Sequence, residues 1–149
     1  MPTPTTRPIT RPPIRIRRLA IAFATVAIAL SALTACAPAA AQPARTVTLQ
    51  TLNGSGVTGT VTFAALGDKT SVEIAVDPGA NPDMPAHIHP GTCDNLTPQP
   101  KFPLENVRNG SSKTEVPASM GELFAGGLAV NIHRSNDDLK TYTACVDLR

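Results

Sequence analysis

The sequence lacks any long helical stripe, any apolar run long enough to cross a bilayer and, once its first 35 residues are set aside, any excess of positive charge. Each absence removes a class. A spanning helix needs roughly 20 apolar residues, and the longest run, residues 19–33, "LAIAFATVAIALSAL", has fifteen. Of the thirteen basic residues, five arginines (7, 11, 15, 17 and 18) precede residue 36 and no acid does, so the remainder carries eight basic against eleven acidic residues. Its net charge of about −3 removes the basic balance that nucleic-acid binding requires. Serines 111, 112 and 119 have no adjacent base that would make them nucleophiles.

What is present begins with the chain's start. "RPPIRIRR" is a cationic opening, the apolar run follows, and "LTAC" comes directly after it. This order predicts a secretion signal that is cleaved. Leu33, Thr34, Ala35 and Cys36 resemble the bacterial lipobox, which implies a lipid on Cys36 and a mature chain attached to the membrane by it. An ordinary cleavage near "APAAAQ", discarding Cys36, is the alternative. Both place the domain outside the cytoplasm. Arg17 and Arg18 form a twin arginine without the rest of that consensus, so export by Sec or Tat stays open. The organisation expected is a signal peptide with lipobox over 1–35, a tether rich in Ala and Pro over 36–45, and one small domain over 46–149.

Cysteine is scarce, with three in the chain. With Cys36 given to the lipid, Cys93 and Cys145 are left as an even pair in an oxidising compartment, which predicts one disulfide between them.

"TVTLQTL", "GVTGTVTFAAL" and "TSVEIAVDP" alternate apolar and polar residues between Gly, Asn and Asp turns, the pattern of strands joined by hairpins. "AHIH" continues as a strand. Residues 91–113, rich in proline and asparagine, predict a long irregular loop with at most one short strand near "ENVRN". A strand and a helical turn capped by Ser119 fit "KTEVPASMGELFAGG", with Gly126 and Gly127 as a turn. "GLAVNIH" and "TYTACVDL" close the sheet. Seven or eight antiparallel strands with no internal repeat predict an all-β Greek-key sandwich or barrel.

Histidine is equally scarce, with three in the chain, and two of them, His87 and His89, stand one residue apart. In a strand, side chains at i and i+2 share a face. Both imidazoles therefore aim together, and His133, at the end of another strand, supplies a third nitrogen if the two strands are neighbours. Three imidazoles without thiolate or carboxylate suit copper in an exported protein, with zinc as the alternative. Asp137 and Asp138 read as a solvated turn.

In order along the chain, "GVTGTVTF", "VEIAV", "HIHPGTC", "VNIHRSNDDL" and "ACVDL" resemble the Cu/Zn superoxide dismutases. The likeness implies their Greek-key fold, copper ligation by His87, His89 and His133, and the disulfide between Cys93 and Cys145. It also implies departures. Residues 91–113 hold no histidine, so the bridging imidazole and the zinc site are missing, and Tyr142 stands where the family has an arginine beside the copper. High dismutase activity on superoxide is therefore not expected, and the pattern is also similar to CHRD domains, which have no established catalysis. Three functions stay open: a copper-holding domain, a copper-only dismutase, and a metal-free structural or adhesive domain.

Overall fold

The computed structural model describes residues 42–77 and 81–149. The signal segment, Cys36 and the first part of the tether lie outside the described residues. Twelve strands follow in order: β1 Arg45–Thr48, β2 Gln50–Thr51, β3 Gly59–Leu66, β4 Lys69–Val76, β5 Asp83–Met84, β6 Ala86–Thr92, β7 Asn95–Leu96, β8 Phe102–Pro103, β9 Val107–Arg108, β10 Ser111–Val116, β11 Leu128–Ser135 and β12 Asp138–Leu148. One helical turn, α1 Met120–Leu123, precedes β11. Seven of the strands have four residues or more, which is the all-β reading from the sequence.

The strands form two antiparallel sheets, β1-β3-β4-β10-β9-β5 and β2-β12-β11-β6-β7, with β8 also paired to β6. The chain leaves the first sheet after β5, enters the second at β6, returns to the first as β9 and β10, with β10 beside β4, and crosses again to lie beside β6 as β11. These are Greek-key crossings of a sandwich. The alternation read from the sequence explains the core: Val61 and Phe63 of β3, Ile74 of β4, Ile88 of β6 and Ile132 of β11 have no exposed surface and face the space between the sheets. Burying side chains of this kind stabilises the fold by roughly 1.5–3 kcal/mol each.

The stretch "TVTLQTL" is not one strand. Thr48 still pairs with β3 while Gln50 pairs with Cys145 of β12, so the chain switches sheets at Leu49, whose side chain is buried at that corner. Ser119 caps α1 as expected: its hydroxyl accepts from the Glu122 amide, and the Glu122 carboxylate accepts from the Ser119 amide, a reciprocal capping box.

The segment over 91–113 is more ordered than its composition predicts. Beside the strand expected near "ENVRN", which is β9, it contains β7, β8 and the start of β10, and its residues 95–104 follow the free edge of β6. Thr97 N–H donates to Pro90 O, Lys101 N–H to Ile88 O and Leu104 N–H to Ala86 O. The cause is the edge itself, because backbone groups of β6 need partners once buried. Proline has no N–H to give a ladder, and the pairing is interrupted at Pro98 and Pro100. The disulfide pairs Cys93 with Cys145, with Cα atoms 5.8 Å apart, and so joins the end of β6 to β12 across the intervening β11.

Candidate metal centre

Strands β6 and β11 are neighbours, with Asn131 opposite His87 and Ala129 opposite His89. Ala86 and Ile88 point into the core, so His87 and His89 occupy the outer face of the second sheet. His133 follows on β11 and shares that face with Asn131. Yet this outer face is not wet: His89 and His133 are only 2% and 4% exposed, and His87 is half-buried. The covering comes from the segment bearing Pro98 and Pro100 on one side and the β11–β12 turn on the other.

The structure brings the three predicted histidines together, with one nitrogen from each lying within 4.8 Å of the other two. His87 Nδ1 is 2.8 Å from His133 Nε2. Two donors about 2.0–2.1 Å from a shared ion stand roughly 2.9 Å apart at a right angle and about 4 Å apart across it. The cluster is thus within an ångström of the span that one ion imposes.

Backbone carbonyls fix the tautomers. His89 Nδ1–H donates to Thr97 O at 2.7 Å, and His133 Nδ1–H donates to Leu139 O at 2.6 Å. Each bond leaves the Nε2 lone pair unprotonated and pointing the other way, the usual means of orienting a ligating imidazole. His89 Nε2 is buried and has no hydrogen-bond partner. A buried acceptor without a donor is costly, and a cation would satisfy it. Between His87 and His133 the contact needs a proton on His87 Nδ1; for a cation to replace it, His87 moves that proton to its own Nε2.

Burial, reinforced by His133 and His89, lowers the His87 pKa to about 4. His133 is also lowered, chiefly by burial, against a smaller opposing contribution from its bond to Leu139 O. At neutral pH both rings are neutral, the form that binds metals. These properties fit a metal ion better than they fit a charged imidazole cluster.

The hairpin that carries Thr97 depends on Gly91. Its φ is +113°, and a Cβ there would collide with the Asn95 carbonyl oxygen on the facing β7. On the other side, a bulge sets the register: Ile132 pairs with Ala144 but His133 pairs with Tyr142, leaving Thr143 as the extra residue. Tyr142 therefore lies edge-on to His133, with ring centroids 5.1 Å apart. The Asp138 carboxylate accepts from Thr141 N–H at 3.1 Å and faces Arg134 at 3.7 Å. It shapes the turn that presents Leu139 O, and touches no histidine in doing so; Asp137 is an exposed turn residue.

A pocket of about 440 Å³ opens over the cluster, lined by the three histidines together with Pro98, Pro100, Leu139, Lys140 and Tyr142. Lys140 is one residue that sequence reasoning missed. Two residues before Tyr142 on the same strand, it brings a cation to the pocket wall. Its spacing of two from Tyr142 was the available signal. Comparison with protein-family models, curated proteins and solved structures finds no match.

Proposed function

We propose that this is an exported, lipid-anchored domain that holds one copper ion through His87, His89 and His133, related to the Cu/Zn superoxide dismutases by its copper side alone. The observation that carries the reading is the buried, unpartnered Nε2 of His89, set beside His133 Nε2, an acceptor, and His87 Nδ1, which donates to it and can ligate once its proton moves to Nε2. Three nitrogen donors of this type suit both copper oxidation states. The disulfide between Cys93 and Cys145 accords with a domain outside the cytoplasm. No zinc companion is included, because residues 91–113 supply no histidine for it.

Bound copper would supply one-electron exchange. The chain's own residues orient the rings through Thr97 O and Leu139 O, narrow the approach with Pro98, Pro100 and Leu139, and offer an anion one positive charge at Lys140. Lys140 is the specific reason to keep a second reading, a copper-only dismutase acting on superoxide. Its exposure to solvent and the domain's negative total limit the attraction, so copper holding is the primary function proposed.

Titration of the protein with Cu(II) should reach one equivalent, and His89→Ala should abolish stoichiometric uptake. Absence of uptake by the wild type rejects the metal readings altogether. With copper bound, a superoxide assay separates holder from enzyme: turnover no faster than that of copper loosely bound to an unrelated protein removes the dismutase reading.

A further inference from the structure

Asn131 is a further polar side chain at the histidine cluster. It is fully buried, stands opposite His87 in the β6–β11 ladder, and lies two residues before His133 on the same face. Its Nδ2 is 3.4 Å from His133 Nε2, and its Oδ1 is buried without any hydrogen-bond partner. A purely structural asparagine at this depth would have both ends bonded.

Without a cation, His133 Nε2 accepts from His87 Nδ1–H at 2.8 Å, and the Asn131 amide N–H stands 3.4 Å from the same nitrogen as a second, longer donor. With a cation on that nitrogen, the amide N–H points its positive end at a positive charge. Rotation of one bond exchanges the two ends of an amide at nearly constant shape, and it brings Oδ1 to the position beside His133 Nε2. The 3.4 Å between Asn131 Nδ2 and His133 Nε2, a place that Oδ1 takes on rotation, is the spacing of neighbouring ligands on one ion, about 3.4 Å at a tetrahedral angle for bonds of about 2.0–2.1 Å.

We propose that the side-chain oxygen of Asn131 is the fourth donor of the metal centre and that it biases the centre toward Cu(II). The inference rests on the copper reading above and adds to it a residue outside the three histidines. Three imidazoles accept either oxidation state, whereas an amide oxygen is a hard donor that completes a mixed nitrogen and oxygen set favoured by Cu(II).

The test measures Cu(II) and Cu(I) affinities separately, by chelator competition, together with the electron paramagnetic resonance spectrum of the Cu(II) form. Asn131→Leu should lose Cu(II) affinity by about tenfold or more, retain Cu(I) affinity within about threefold, and show a changed parallel hyperfine splitting. Asn131→Asp keeps the oxygen and adds charge, so its preference for Cu(II) over Cu(I) should exceed that of the wild type by about tenfold. A wild-type spectrum and affinity in Asn131→Leu would mean that Oδ1 meets only a buried water, and would overturn the proposal. If Asn131→Leu does not fold, an unchanged oxidation-state preference in Asn131→Asp overturns it equally. Failure of the wild type to take up copper removes the copper reading as well; uptake that is indifferent to residue 131 removes this inference alone.

Discussion

The two sheets obey the same alternation, yet their outer faces have opposite fates. On the first, Thr46 and Thr62 share a hydroxyl contact of 3.0 Å in solvent, and Glu73 faces Lys113 at 3.7 Å with each side chain more than half exposed. On the second, the corresponding outward positions are His87, His89, Asn131, His133 and Cys145, and all but His87 are almost wholly buried. The difference is the chain laid over them. Polar groups in water need no explanation, whereas polar groups carried under a covering segment keep their cost unless something binds them. The buried outer face therefore marks the site.

The largest expected break in this contrast comes from the disulfide. Cys93 occupies the turn of the β6–β7 hairpin, two residues beyond Gly91, and Thr97, the partner of His89, follows within four. Replacing both cysteines by serine should lower stability by about 2–4 kcal/mol, read by denaturant unfolding. Copper affinity should fall with it, because the covering segment loses its tie to β12. Among the described residues, the first sheet's exposed face has no comparable attachment. Unchanged copper affinity in the double variant would show that the edge pairing along β6 suffices to hold Thr97.

A smaller effect follows from pH. The folded His87 takes its proton only near pH 4, whereas an unfolded histidine takes it near 6.5. Between these values the unfolded chain binds a proton that the folded chain refuses, so the stability present above 6.5 is lost as pH falls toward 4. His133 acts in the same direction. The metal-free protein should weaken across this window, and His87→Gln should flatten that part of the profile. Equal slopes in the two proteins would show that His87 is hydrated and ordinary. With copper bound, protons compete for the same nitrogens, and acidification should release the metal.

Much of this was legible from residue order. The alternating strands and the shared aim of His87 and His89 follow from period two, and the pairing of Cys93 with Cys145 from the cysteine count, whereas the adjacency that brings in His133 was only a condition until the fold met it. The covering layer was not. Residues 91–113 have the composition of a loop, and only the unpaired edge of β6 draws them into β7 and β8. The carbonyls of Thr97 and Leu139 leave no residue-type signal, since any amino acid carries one. The extra residue at Thr143 is likewise silent: counting back in twos from Cys145 puts Thr143 opposite His133, and the bulge puts Tyr142 there. Asn131 and Lys140 were readable by spacing from His133 and Tyr142, but only once those positions were known to matter.

The smallest effect tests the other side of the comparison. Glu73→Gln removes the ion pair with Lys113 from the first sheet's outer face. Exposed pairs of this kind contribute roughly 0.2–1 kcal/mol, less with salt, and neither partner touches the histidine cluster. Stability should therefore change by less than about 1 kcal/mol, and Cu(II) uptake should be unaltered. A loss well beyond this, in a protein whose unfolding remains two-state, would mean that Glu73 is shielded from water in solution. The first sheet would then have a covering of its own, and the contrast between the two faces would be one of what covers each rather than of covered against bare.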